Sequence, residues 1–180
     1  MGSQHSVVFD QVIESSVVDC FSVRELALCP AEAVRPPAPY AEGAILTFIS
    51  LFGEHLTGTL LLAVRPDLAE ALSLAVGPGG ETQAAHLDAL AELSNELLGR
   101  IKNRLLPYGV TFQLGLPKAL ACAGFWLHTV TGETRRAHRF TSPRGDVWVW
   151  FDVVVGPDFR MLPFDESSAK CLPEGELVLF

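Results

Sequence analysis

The distribution of apolar and polar positions predicts a helix followed by a hairpin in the first third of the chain. Over residues 7–28, apolar residues recur among polar ones at the spacing of an amphipathic helix. Two apolar runs, 43–51 and Leu56–Val64, then flank a short Phe-Gly-Glu-His sequence. Their β-branched and aromatic content around a glycine predicts two antiparallel strands that are joined by a turn.

Helical patterns return in the centre of the chain. Pro66 and the acids after it predict a helix start, and the Gly-Pro-Gly-Gly sequence at 77–80 predicts its end. Thr82 is a predicted N-cap for a long helix that runs from residue 83 or 84 to residue 106, where Pro107 stops it. The apolar positions of this helix share one arc, which we expect to face the core: Leu90, Leu93, Leu97, Leu98, Ile101 and Leu105.

The opposite arc of the long helix carries four residues that could contact another molecule. Asp88, Glu92, Asn95 and Gly99 fall within about 60° of one another on the helix surface. Asn is disfavoured inside helices, and an exposed mid-helix glycine costs about 1 kcal/mol relative to alanine. On spacing alone, an ordinary solvated helix face remains the commoner explanation. The glycine, however, would let the backbone of another molecule approach closely.

Beyond residue 107 the pattern changes from helix to strand, which sets the fold class. The segments with β character are 110–116, 125–130, 136–141 and 147–155. The last of these is apolar on both faces at its start, which predicts a central strand. The order of elements predicts an α+β fold, in which an antiparallel or mixed sheet packs on helices that include the long central one. We expect a single domain over residues 1–180, with a C-terminal extension from about residue 156.

Composition narrows the class of function. The net charge of −8 argues against nucleic acid or an anionic membrane as a partner, because phosphate binding requires a basic face. The four cysteines form no CxxC pair, and the histidines show no metal-ligand spacing, so we expect no metal site. No apolar run approaches the roughly 18 residues of a membrane span, and the N-terminus has no signal-peptide pattern. These features predict a cytoplasmic protein.

The sequence Glu-Leu-Ser-Asn-Glu-Leu-Leu-Gly that begins at Glu92, with Asp88 four residues before it, resembles a known motif. It is similar to the ExxN helix of the CheC/CheX/FliY phosphatases, which act on phosphorylated chemotaxis response regulators. The similarity extends over residues 7–155 and includes the glycine-bearing hairpin and the helix before the motif. The first helix has Val17 where a second copy of the motif would need asparagine, so the chain resembles the one-site CheX type.

The resemblance implies a catalytic role for two of these residues. Asn95 would orient the water that attacks the aspartyl-phosphate of a CheY-like receiver domain, and Glu92 would pair with the lysine of that receiver. Asp88 and Gly99 would contact the partner. The protein would need no cofactor of its own, since Mg²⁺ would be held by the receiver. Phosphoryl transfer depends mainly on positioning and charge stabilisation, so a neutral amide can serve.

Two alternatives and one question of assembly stay open. The same fold could be a non-catalytic adaptor that binds a receiver without accelerating hydrolysis. A hot-dog-like thioesterase also places a long helix against an antiparallel sheet, but it needs an acid facing a ligand pocket, whereas these acids lie on the outward arc. The CheX type is typically a homodimer through sheet edges, and the tail past residue 156 could cover the edge that dimerisation would use.

Overall fold

The computed structural model describes residues 3–31, 43–74, 82–123 and 135–169. Its helices are α1 (Ser3–Ser22), α2 (Pro66–Leu74), α3 (Gln83–Leu105) and α4 (Glu166–Ala169). Its strands are β1 (Cys29–Ala31), β2 (Ala44–Phe52), β3 (Leu56–Val64), β4 (Gln113–Leu114), β5 (Lys118–Cys122), β6 (Arg135–Ser142) and β7 (Gly145–Val155). A short 3-10 helix, Leu106–Tyr108, follows α3.

Every strand pair in the described residues is antiparallel, which settles the sheet type that the sequence left open. The strand order is β1-β6-β7-β3-β2, and both β4 and β5 pair with the far side of β2. The predicted hairpin is confirmed, with Ile45 of β2 opposite Val64 of β3. Strand β7 pairs with β3 on one side and with β6 on the other, so its predicted central position is also confirmed.

Helices α1, α2 and α3 enclose the main core on one face of the sheet, and α3 contacts both of the other two. The ring of Phe9 on α1 lies 5.9 Å from that of Phe151 on β7, centroid to centroid. The other face carries a smaller cluster around Trp148 and Trp150, whose indoles stack at 5.8 Å. Both tryptophans are buried. This α+β architecture with α3 on the sheet places one face of that helix outward.

The first helix is shorter than the sequence predicts, because the chain turns after Ser22. Glu25 adopts a left-handed φ of 58°. Its N–H donates to the Ser22 carbonyl at 3.0 Å, and the N–H of Leu26 donates to the Phe21 carbonyl at 3.2 Å. These two bonds form a Schellman ending, in which Glu25 occupies the position that glycine usually takes. The apolar periodicity of the sequence extends past this turn because Leu26 and Leu28 are also buried, and the predicted helix was therefore too long at its C-terminal end.

The predicted strand over 110–116 is wrong in extent. Only Gln113–Leu114 pairs there, and Lys118–Cys122 forms a separate strand along β2. Pro117 lies between the two strands and has no N–H to donate, so it interrupts the ladder. The alanine-rich β5 has low intrinsic β-propensity and was missed, since its pairing with β2 rather than its composition makes it a strand.

Part of the predicted C-terminal extension packs on the end of α3. The N–H of Leu162 donates to the Tyr108 carbonyl at 2.9 Å, and the N–H of Asp165 donates to the Pro107 carbonyl at 3.0 Å. The predicted glycine stop at 77–80 lies outside the described residues. The predicted strand at 125–130 lies outside them too.

Candidate functional site

The long helix α3 begins and ends close to where the sequence predicts. Thr82 is extended and its hydroxyl accepts a hydrogen bond from the N–H of Ala85 at 3.2 Å, so the predicted N-cap is confirmed. Lys102 and Arg104 lie in the last turn, where cations interact favourably with the helix dipole. The α-helix ends at Leu105, one residue before the predicted end.

The inward arc of α3 fixes the rotation of the helix on the sheet. All six predicted core residues are at most 1% exposed, and burying one such leucine stabilises the fold by about 1.5–3 kcal/mol. Ser94 is also buried, and its hydroxyl is hydrogen-bonded to that of Thr47 on β2. Ser94 therefore lies inside the motif sequence but faces the sheet, which excludes it as a surface nucleophile.

The outward arc carries the four residues that the sequence singles out. Asp88 and Glu92 are exposed, while Asn95 and Gly99 are partly exposed. Glu92 and Asn95 are separated by one helical turn, with a rise of about 4.5 Å between them. A Cβ built on Gly99 meets no atom within 4 Å, so the space above this glycine is open. The structure thus places the four residues on one accessible face, and their roles remain a prediction.

The chemical capacity of this outward arc is that of a docking and orienting surface. A carboxylate accepts hydrogen bonds from a cation, and a carboxamide both donates and accepts. Among the described residues, no group of three or more His, Cys, Asp and Glu side chains is arranged to hold a metal ion. The arc therefore offers two carboxylates and a carboxamide that can hold polar atoms of another molecule by hydrogen bonds.

An ion pair beside the outward arc was not predicted. Arg24, just past the end of α1, donates from Nη2 to Oε1 of Glu96 at 2.9 Å. Burial disfavours the charged guanidinium, but the hydrogen bond and the charge of Glu96 outweigh it, so the pKa of Arg24 is raised. The two residues are 72 positions apart, and their opposite charges are the only signal in the sequence.

A buried thiol lies beneath this ion pair. The Sγ of Cys20 is 4.0 Å from Oε2 of Glu96 and 4.0 Å from the Leu93 carbonyl oxygen. Burial raises the pKa of the Cys20 thiol to about 11, although the charge of Arg24 acts in the opposite direction. At neutral pH this cysteine is therefore protonated and poorly nucleophilic.

A second polar cluster lies under the N-terminal half of α1, away from the motif. His138 on β6 is 8% exposed, with Nε2 3.4 Å from a carboxylate oxygen of Asp10 and Nδ1 3.6 Å from one of Glu14. The spacing of the histidines along the sequence does not single out His138. The structure shows it buried between α1 and the sheet, with the two carboxylates beside its ring.

The comparisons with known proteins agree with the fold and identify a family. The family model for the chemotaxis phosphatase CheX matches residues 45–141, which is more than half of the chain. This chain belongs to the CheX family. That membership confirms the resemblance that the helix sequence indicated. No curated protein matches the chain.

Solved structures of CheX-like proteins share the fold. The chemotaxis protein CheX from Vibrio vulnificus is 19% identical, with a TM-score of 0.69 over 81% of this chain and 96% of that one. A CheC-like superfamily protein from Shewanella sp. PV-4 is 18% identical, with a TM-score of 0.71 over 82% and 98%. A chain of the CheX–CheY–BeF3–Mg²⁺ complex from Borrelia burgdorferi is 16% identical, with a TM-score of 0.55 over 81% and 95%.

The membership in the CheX family places the chain among chemotaxis phosphatases in general terms. In the part of the chain that the structure describes, no helix has the length and apolar character that crossing a membrane requires. The homodimer implied by the resemblance stays a prediction, as do the individual roles of Asp88, Glu92, Asn95 and Gly99.

Proposed function

We propose that this protein hydrolyses the aspartyl-phosphate of a CheY-like receiver domain through the outward face of α3. The observation that carries the proposal is the pair Glu92 and Asn95, one turn apart on an accessible helix face in a CheX-family chain. A relative of the same fold has been solved as a CheX–CheY–BeF3–Mg²⁺ complex, which supports a receiver as the partner.

Asn95 is the residue to which we assign the orientation of water. Its carboxamide is too weak a base to take a proton, but it can hold a water molecule by donating and accepting hydrogen bonds. As the water oxygen forms a bond to phosphorus, the bond between phosphorus and the aspartate oxygen breaks. The receiver aspartate leaves as a carboxylate, and the two protons of the water stay on the inorganic phosphate that is released. The protein's contribution is position, which can supply much of the acceleration.

Glu92 is the residue to which we assign docking. Its side chain is exposed and negatively charged, so it can pair with the lysine of a receiver and hold the complex in register. Asp88, one turn earlier and also exposed, extends the negative surface. Gly99, one turn after Asn95, leaves open space for the partner's backbone. Mg²⁺ would belong to the receiver in this arrangement.

The test is the release of phosphate from a CheY-like receiver that has been phosphorylated with acetyl phosphate. We expect wild-type protein to accelerate the release and Asn95→Ala to lose about 100-fold or more of that acceleration. Asn103→Ala is the matched control, because Asn103 is a partly exposed asparagine two turns further along the same helix. Asn95→Ala with wild-type activity would refute the proposal.

The same assay distinguishes binding of the receiver from acceleration of its hydrolysis. Glu92→Gln should raise the KM for the phosphorylated receiver, and Glu70→Gln on the exposed surface of α2 should not. Binding of the receiver with no acceleration of phosphate release would instead identify the chain as a receiver-binding adaptor.

A further inference from the structure

Glu92 has a second carboxylate and a cation as neighbours. Glu96 follows it by one turn on α3, and Arg24 reaches this position from the end of α1. The guanidinium is held at two points, since Nη2 donates to Glu96 at 2.9 Å and Nη1 donates to the Cys20 carbonyl at 3.1 Å. Its side chain is only 13% exposed. Arg24 is therefore a fixed positive charge at the border of the outward arc.

Arg24 lies within electrostatic reach of both acids. Burial has the largest single effect on the pKa of Arg24 and lowers it. The hydrogen bond and the charge of Glu96 together outweigh burial, so the pKa is raised. The charge of Glu92 adds a smaller contribution in the same direction. A helical spacing of four residues separates the Cβ atoms of the two glutamates by about 6 Å, which a long arginine side chain can cover.

We propose that Glu96 is a positioning residue that holds Arg24 away from Glu92, so that the Glu92 carboxylate stays available to the lysine of a receiver. This inference rests on the proposed function, in which Glu92 docks that lysine. Without Glu96, Glu92 is the other carboxylate of α3 within electrostatic reach of the guanidinium, whose planar fork favours carboxylates. Arg24 would then bind Glu92, and the receiver's lysine would lose its partner.

A second ion pair, which joins α1 to α3, provides a matched control. Arg104 on α3 is paired with Asp19 on α1, and this pair also crosses the interface between the two helices. Arg104 follows Glu92 by twelve residues, which is about 18 Å along the helix. Removing this pair disturbs the packing of α1 on α3 in the same way but leaves the surroundings of Glu92 unchanged.

The experiment measures KM and kcat for phosphate release from an acetyl-phosphate-charged receiver. Glu96→Gln should raise KM about three- to tenfold and leave kcat within about twofold, because docking weakens while Asn95 is untouched. The double variant Arg24→Gln/Glu96→Gln should return KM to within about twofold of wild type, since the guanidinium of Arg24 is no longer there to capture Glu92. Asp19→Asn should leave both constants unchanged.

Three results would overturn the proposal. Glu96→Gln with a wild-type KM shows that Glu92 does not need this protection. A double variant as impaired as Glu96→Gln shows that Glu96 acts through packing alone. A KM that rises equally in Asp19→Asn shows a general effect of loosening α1. Each result counts when Asn95→Ala is inactive in the same assay, whereas an active Asn95→Ala means that the proposed function itself has failed.

Discussion

The hydroxyls of Ser94 and Thr47 are hydrogen-bonded to each other inside the protein, directly beneath the outward face of α3. Ser94 precedes Asn95 in the chain, so the contact ties the motif turn to the second strand of the sheet. A buried hydroxyl that lacks a partner is costly, and only the pair together satisfies both groups. The contact therefore specifies which side of the helix turns toward the sheet.

This pair leads to a prediction about stability. Ser94→Ala should lower the free energy of unfolding by about 1–3 kcal/mol, because Thr47 keeps a hydroxyl without its partner. Adding Thr47→Val removes the stranded group, so the double variant should lose less than the sum of the two single variants. Urea denaturation measures both, with exposed Ser15→Ala as the control. Strictly additive losses would show that the two hydroxyls are not coupled.

Gly99 should show opposite effects on stability and on binding. The open space above it means that Gly99→Ala introduces no clash, so the free energy of unfolding should rise by about 1 kcal/mol from the better helix propensity. If the backbone of a receiver approaches here, the same methyl group should weaken receiver binding in a titration of the complex. Glu70→Gln on α2 should leave that binding unchanged. Unaltered binding by Gly99→Ala would show that the partner keeps its distance from this position.

The turn after α1 should accept glycine with a gain in stability. Glu25 holds a left-handed φ of 58° at a position where a Cβ is unfavourable. Glu25→Gly should raise the free energy of unfolding by about 1 kcal/mol, and Glu25→Ala should give no such gain because it retains the Cβ. Thermal unfolding of the two variants compares them directly. Equal stabilities would mean that the surrounding hydrogen bonds, rather than the residue's own conformation, determine the turn.

The raised pKa of Cys20 predicts a loss of stability in alkaline solution. Its pKa of about 11 in the folded protein lies above the ordinary value of 9.0, because burial opposes the thiolate. Between pH 9 and 11 the unfolded chain loses this proton and the folded chain keeps it. The free energy of unfolding should therefore fall as the pH rises through this window, by at most about 2–3 kcal/mol.

The comparison of wild type with Cys20→Ala isolates this contribution from the other groups that titrate at high pH. The stability difference between the two proteins should be constant below pH 9 and should shrink above it. A difference that stays constant up to pH 11 would contradict the raised pKa.

Much of the candidate site was predictable because a helix is a local structure. The period of 3.6 residues places Asp88, Glu92, Asn95 and Gly99 on one face whatever surrounds the helix, and the leucines on the opposite arc decide which face turns inward. The cap at Thr82 also depends only on neighbours in the chain. The hairpin from β2 to β3 has the same local origin, since its two apolar strands are separated by a short turn.

Contacts between distant segments could be decided only by the tertiary structure. The sequence by itself determined that α3 exists and that it offers a carboxylate and an amide to the exterior. Packing of α1 along α3 brought Arg24 to Glu96, and docking of α3 on the sheet brought Thr47 to Ser94. Pairing with β2 likewise made a strand of the alanine-rich β5. Each of these contacts depends on which surfaces bury each other. The free energy of that burial is shared by many residues, so no single stretch of sequence determines it.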